Sequence, residues 1–270
     1  MKKLFALIGL LGLVTGMGGT LNAQETLDRV GLWGHFAEGG VGKAIKFKFS
    51  AMPGDKFVVA CGQDKDTITA EADITEFSHT FSPDLIKVNI ELSSLNQTSH
   101  LHHFEMDSTD HYSTIDFENC PMLKSIHVTH NTFENFTFRN CPALTFLDCS
   151  YNKITSLYYL DLFACKALTD LTVRDNDSLK TLNVSNLPLQ HLTCTECQNL
   201  SEINADNCRL QTLDVSGNPA LKRLDFIDNQ LTSLILKDCP VLERLFCANN
   251  RPLFWRVCGN NAKMPHSIPN

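Results

Sequence analysis

The chain has 270 residues, with 23 Lys and Arg against 30 Asp and Glu, and a formal net charge of −7 at pH 7. A weakly acidic chain without a basic run lacks the clustered cations that phosphate contacts need, so we expect no nucleic-acid partner. The most apolar stretch, residues 4–14, is too short to cross a bilayer, so we expect no membrane insertion.

Residues 1–23 have the pattern of a secretory signal peptide. Lys2 and Lys3 precede the apolar run, and small or polar residues follow it up to Ala23. The next residue is Gln24 rather than cysteine, which disfavours a lipid anchor. We therefore expect a protein that is secreted, periplasmic or exposed at the cell surface.

Residues 24–100 show short runs in which apolar and polar residues alternate, at 44–49, 56–60, 67–74 and 85–92. Turn signals such as Pro53-Gly54-Asp55 separate them. Alternation with these breaks predicts strands of a small β-sandwich-like domain. Its expected role is to cap the repeats that follow, because the open end of a repeat stack exposes its core.

Residues 101–253 repeat a unit of ten or eleven residues that reads Leu-x-x-Leu-x-apolar-x-x-Asn/Cys. The clearest run extends from Leu210 to Leu231 and includes Asn218 and Asn229. Two units make a period of 21, which predicts a mainly β solenoid of short parallel strands. Residues 254–270 form the predicted C-terminal tail.

Within each unit, the second leucine and the apolar residue two positions later point to the same side of a short strand. The Asn or Cys lies just beyond the strand, where the chain turns. We expect an inward Asn to satisfy buried backbone groups there and Cys to do so weakly, since each unpaired group costs about 1–3 kcal/mol.

The eleven cysteines follow the repeat rather than a disulfide framework. Nine occupy Asn or Val positions of the unit, and only Cys61 and Cys258 lie outside it. Buried free cysteine behaves as a small apolar residue, so we expect free thiols. The repeat also explains Cys194 and Cys197, which otherwise have the spacing of a zinc or redox pair.

The unit that starts at Leu144 is 13 residues long, and we predict one oversized coil of 24 residues at 144–167. Separate duplications on either side are the alternative origin. Tyr158 and Tyr159 belong to this coil, and we expect both to be exposed. Exposed aromatics are candidate contacts on a binding protein, or they only cover the bulge.

The repeat resembles that of leucine-rich repeat proteins, in particular the internalin-like bacterial class with two half-units per 21 residues. The segments 213–221 and 228–234 carry this resemblance most clearly. It implies a secreted or surface protein that binds other macromolecules, sometimes host ones, and it implies no catalytic residues. Residues 76–81 are also similar to a stretch of polycystic-kidney-disease-type modules, although the usual Gly-Asp-Gly phrase is missing.

The outward strand positions are therefore the predicted contacts with a protein or glycan, possibly one derived from a host. The repeat phase divides them between two faces. One face carries His127, Asp148, Thr172, Thr193 and Asp214. The other carries Asp116, Thr137, Asp161, Asn183, Asn204 and Asp225.

Catalysis is not expected, because none of the outward strand acids Asp116, Asp148, Asp161, Asp214 and Asp225 has a second acid beside it in its own column of coils. The phrase at residues 39–43 lacks the first glycine and the hydroxyl of a phosphate loop, and we expect no cofactor. Two alternatives remain open. One is a structural envelope component without an external ligand. The other is a metal-binding protein that uses the histidines between His100 and His130.

Overall fold

The computed structural model describes residues 29–35, 44–61, 64–80, 87–95, 100–108, 112–155, 157, 162–250 and 254–256. The predicted signal peptide, Tyr158, Tyr159 and Asp161 lie outside these residues, as does the tail except for one strand. Six strands precede the repeats: β1 (Arg29–His35), β2 (Ala44–Ser50), β3 (Lys56–Cys61), β4 (Asp64–Thr69), β5 (Thr75–Thr80) and β6 (Lys87–Ser94).

The repeats form fourteen further strands, most of them three residues long. These are β7 (His103–Glu105), β8 (Tyr112–Glu118), β9 (Ser125–His127), β10 (Asn135–Arg139), β11 (Phe146–Asp148), β12 (Asp170–Thr172), β13 (Thr181–Asn183), β14 (His191–Thr193), β15 (Glu202–Asn204), β16 (Thr212–Asp214), β17 (Arg223–Asp225), β18 (Ser233–Ile235), β19 (Arg244–Phe246) and β20 (Phe254–Arg256).

A ten-stranded sheet has the order β20-β18-β16-β14-β12-β11-β9-β7-β2-β5, and its strands from β7 to β20 stack in parallel, whereas β2 and β5 are joined to it antiparallel. Partners are 21 residues apart at most steps, as Ser125 with Phe146 and Asp170 with His191 show. Phe146 instead pairs with Asp170, a step of 24 residues, so the oversized coil is confirmed. The protein is a β-solenoid, as the period predicted.

The intervening strands form the opposite side of the solenoid. There, β10 and β8 belong to a six-stranded sheet, and β13, β15, β17 and β19 make a parallel four-stranded sheet. A single parallel bridge from Leu157 to Leu182 extends the four-stranded sheet towards the oversized coil. The two rows of outward residues predicted from the repeat phase therefore lie on two different sheets.

The N-terminal strands continue both sides of the solenoid. β2 pairs antiparallel with β7, and β1 pairs antiparallel with β8. Strand β1 was not predicted, because Gly31 and Gly34 interrupt its apolar pattern. The single strand predicted at 67–74 was wrong: β4 ends at Thr69, and the Glu71 N–H donates to Thr75 Oγ1 where β5 begins.

The core changes composition along the axis. In the coils it consists mainly of leucines that are almost fully buried, such as Leu147, Leu171 and Leu213. Towards the N-terminus phenylalanines replace them, and Phe104 packs 5.6 Å from both Phe47 and Phe117 between ring centroids. One continuous apolar core thus joins the N-terminal strands to the repeats.

Most described turns place a residue with positive φ directly before the inward Asn, Cys or Leu; Ala164, before Cys165, is an exception. The positive-φ residues at this position are Asn119, His130, Asn140, Tyr151, Asp175, Asn186, Glu196, Asn207, Gly217, Asp228, Asp238 and Asn249. Asn and Asp tolerate this left-handed conformation best after glycine, which explains their frequency here. The repeat consensus did not reveal this requirement.

The inward asparagines bind the turns together, as predicted. Asn176 is fully buried, and its Nδ2 donates to the carbonyls of Cys149 and Val173 at 3.1 and 2.9 Å. Its Oδ1 accepts the N–H of Ile154 in the preceding coil. The Sγ of Cys239, at the equivalent position, donates to the carbonyls of Val215 and Lys237 at 3.1 and 3.6 Å.

Burial keeps the cysteines in the thiol form. It raises the pKa of Cys197 and Cys239 to about 11. Nine of the ten described cysteines are buried, whereas Cys247 is half-buried. The predicted inward positions are confirmed for the described cysteines of the repeat, and Cys258 lies outside the described residues.

Candidate functional site

The ten-stranded sheet presents one row of predicted contacts. His127, Asp148, Thr172, Thr193 and Asp214 lie in register on β9, β11, β12, β14 and β16. All five side chains are half-buried, so each keeps surface that a partner can reach. We refer to the outward side of strands β7, β9, β11, β12, β14, β16 and β18 as the ten-stranded face.

The other row is divided between two sheets. Asp116 and Thr137 pair between β8 and β10 of the six-stranded sheet, and Asn183, Asn204 and Asp225 follow on the four-stranded sheet. Asp225 is only 5% exposed, because Arg223 covers it with two ion-pair contacts at 2.7 and 2.8 Å. Burial also raises the pKa of Asp116. Asp225, which is buried and paired with Arg223, offers little charge to a partner.

Several of the predicted contacts also have a local structural role. The Oδ1 atoms of Asp148, Asn183, Asn204 and Asp214 accept the N–H of the residue two positions later, at 2.9–3.1 Å. Such bonds fix the exit from the strand, which explains why Asp and Asn recur at this position. The second carboxylate oxygen of Asp148 and Asp214 is not needed for this bond.

Three rings lie next to one another across the first strands of the ten-stranded face. His103 lies 5.3 Å from His127, and His127 lies 4.6 Å from Phe146 at an interplanar angle of 26°. Burial, and then the neighbouring His127, lower the pKa of His103, which favours its neutral form. Of these three residues, only His127 was predicted as a contact; His103 was considered only among the histidines of the metal alternative, and Phe146 was not predicted.

A second stack follows the turns beside this face. The rings of His130 and Tyr151 are parallel and 4.2 Å apart, and the guanidinium of Arg174 lies 5.8 Å from the Tyr151 ring. Arg174 Nη2 contacts Glu196 at 2.8 Å, and His130 contacts Asp107 at 3.4 Å. We call the row Asp107, His130, Tyr151, Arg174 and Glu196 the turn ridge.

The turn ridge includes two residues that are unfavourable at their backbone positions. Tyr151 and Glu196 have φ values of 56° and 62°, whereas His130, with a φ of 53°, belongs to a residue type that is enriched in this conformation. A bulky residue in this left-handed conformation is uncommon, and the conformation costs about 1–2 kcal/mol relative to the right-handed one. The turns of the opposite side mostly use Asn or Asp, and their side chains bond to one another, as Asn207 does with Asn186.

The two sides also differ in charge. The charges compared are those of the described strands β7 to β18 of the ten-stranded face and of the turn after each strand, up to its residue with positive φ. The cations among these residues are Arg174 and Lys237. Eight carboxylates lie there: Glu105, Asp107, Asp148, Asp170, Asp175, Glu196, Asp214 and Asp238. The same positions from β8 to β19 on the opposite side hold six carboxylates and three arginines. The ten-stranded face is the more acidic one.

The described histidines of the region between His100 and His130 separate into different surroundings. His100 contacts Asp55 at 3.1 Å, whereas His103 and His127 belong to the row of three rings and His130 to the turn ridge. In the part of the chain that the structure describes, no three His, Cys, Asp or Glu side chains are grouped as metal ligands. His111 lies outside that part.

Comparisons with known protein families and with curated proteins give no match to this chain. The site therefore has to be interpreted from its own residues. Among the described residues, no helix has the length and apolar character of a membrane span.

Proposed function

We propose that the protein is an exported recognition module that binds a protein or glycan partner through the ten-stranded face. The proposal rests on the solenoid geometry, which aligns the outward residues of successive coils at intervals of about 4.8 Å. A stack of coils offers a long, regular surface of this kind. The partner is expected to be a macromolecule, possibly one of host origin.

The observation that carries the proposal is the contrast between the two sides. The ten-stranded face and the turn ridge combine two ring stacks with an excess of carboxylates, and the ridge keeps Tyr151 in a strained conformation. Strain that the fold does not require is a reason to infer function, because Asn fills the same position elsewhere in this chain. The opposite side shows mostly residues that suit the turn itself.

We also propose that the chain belongs to the internalin-like class of leucine-rich repeat proteins. Its support is the repeat phrase, the period of 21 and the inward asparagines at the predicted positions. Within this assignment, strands β1 to β6 serve as the cap of the first coil, since they continue both sheets of the solenoid. Export is proposed from the pattern of residues 1–23.

A lysine pair in the middle of the ten-stranded face tests the function. Thr172→Lys combined with Thr193→Lys places two long charged side chains over neighbouring strands and leaves the bonds of Asp148 and Asp214 intact. We expect at least tenfold weaker adhesion of the mature protein to cells or extracellular matrix, with an unchanged thermal midpoint. A solid-phase adhesion assay measures the effect.

Glu202→Lys provides the matched control. Glu202 is exposed on the opposite side, and this single change alters the net charge by the same two units as the threonine pair. Its adhesion should stay within twofold of the wild type. Undiminished adhesion of the variant with the lysine pair would exclude the ten-stranded face as the binding surface. If the wild-type protein adheres to neither cells nor matrix, the alternative of a structural envelope component is favoured.

A further inference from the structure

We infer that the partner of the ten-stranded face is a polypeptide segment rich in lysine or arginine, which lies along the acidic strands and against the turn ridge. This inference rests on the proposed function and specifies its partner. The residues that carry it are the carboxylates of the face together with the paired rings of His127 with Phe146 and of His130 with Tyr151.

Charge complementarity selects a cationic partner. The eight carboxylates of the described face greatly exceed its two cations, and Arg174 is already engaged by both Asp175 and Glu196 at 2.8 Å. The carboxylates of Asp148 and Asp170 lie on adjacent strands, with Phe146 beside Asp170 in the same ladder. An extended chain that crosses the coils meets a carboxylate, on the strand or on the turn that follows it, at each of β11, β12, β14, β16 and β18.

The rings supply the apolar part of this surface. An ammonium or guanidinium group is attracted to the face of an aromatic ring, and the long stem of lysine or arginine packs on apolar surface. The turn ridge already holds one such contact, since Arg174 lies over Tyr151. A second guanidinium or ammonium beside the His130 and Tyr151 stack has the nearby carboxylate of Asp107 as its counter-ion.

Conformational strain at Tyr151 provides a test that separates binding from folding. The equivalent turn position in other coils is mostly Asn or Asp, so Tyr151→Asn relieves the left-handed strain and removes the ring. If Tyr151 serves stability, its replacement should lower the thermal midpoint of the protein. If Tyr151 serves binding, its replacement should weaken binding and leave the thermal midpoint unchanged or higher.

The experiment measures the fluorescence anisotropy of a labelled decalysine with the mature protein at 50 and 300 mM NaCl. Asp148→Asn with Asp170→Asn removes two charges, and asparagine at 148 keeps the Oδ1 acceptor for the Ser150 N–H. Each surface charge contributes only a small factor to affinity, so we expect this double variant to bind decalysine roughly fivefold more weakly than the wild type. Tyr151→Asn should weaken binding by a similar factor, and 300 mM NaCl should weaken it for every variant.

Glu202→Gln with Asp228→Asn is the control pair, since it removes the same net charge from exposed positions of the opposite side. Its affinity should stay within twofold of the wild type. Equal losses in both pairs would overturn the inference, because net charge alone would then explain binding. It would also be overturned if decalysine failed to bind, or if a neutral oligosaccharide bound the ten-stranded face instead.

The adhesion assay with the threonine pair distinguishes the failure of this inference from the failure of the function. Adhesion lost in the lysine pair but no binding of decalysine would leave the ten-stranded face as a recognition surface for another kind of partner. Adhesion retained by the variant with the lysine pair would refute the proposed function itself.

Discussion

Replacing Asn176 by alanine should lower the free energy of unfolding by about 2–4 kcal/mol, because buried backbone groups lose their partner. The N–H of Ile154 loses its acceptor, and the carbonyl of Val173 loses a donor 2.9 Å away. Urea unfolding followed by circular dichroism measures the change. The effect is large because Asn176 is fully buried and water cannot replace the missing amide.

Two further variants make this result specific. Asn176→Cys should cost less than alanine, since the thiol of Cys197 donates to the same Val173 carbonyl from the next coil and shows that sulfur fits such turns. Asn199→Ala removes an exposed asparagine and should change the free energy by less than about 0.5 kcal/mol. An alanine at 176 with the stability of the wild type would contradict the role of the inward asparagines.

Replacing Phe104 by alanine should cost about 3–5 kcal/mol, the usual penalty for emptying a fully buried phenylalanine site. Phe104 is 1% exposed and lies between Phe47 of the N-terminal strands and Phe117 of the first coil. The cavity therefore lies where the two parts of the core meet. We expect a lower midpoint of thermal unfolding and a single transition for the whole protein.

Phe163→Ala is the matched control, because Phe163 is 52% exposed and the same atoms are removed. Its midpoint should stay close to that of the wild type. Separate unfolding of the N-terminal strands and of the repeats, in the wild type or in Phe104→Ala, would contradict the continuous core.

The part of the fold that depends on periodicity could be predicted from the sequence. Leucine spacing defines which residues face inward, so the register of Leu147 with Leu171 and the oversized coil followed from counting residues. The same phase separated His127 and Asp148 from Asn183 and Asn204. Predicting these features requires only that a strand alternates and that each coil repeats the last.

Other features depend on geometry that leucine spacing does not express. The repeat consensus does not show that the residue before an inward position has a positive φ. Comparing the coils would nevertheless have shown that Tyr151 and Glu196 occupy a position that is mostly Asn, Asp or Gly. The burial of Asp225 depends on how Arg223 folds back along its own strand. Ring stacking between His127 and Phe146 depends on side-chain rotamers in two coils, so the aromatic part of the site was missed.

The most direct measurement of the central claim is labelling of carboxylates by a carbodiimide and glycine ethyl ester, read by mass spectrometry, with the protein free and bound to matrix. We predict that binding reduces labelling of Asp148, Asp170 and Asp214 several-fold and leaves Glu202 and Asp228 unchanged. Protection confined to Glu202 and Asp228, or equal labelling of all five in both states, would contradict recognition by the ten-stranded face.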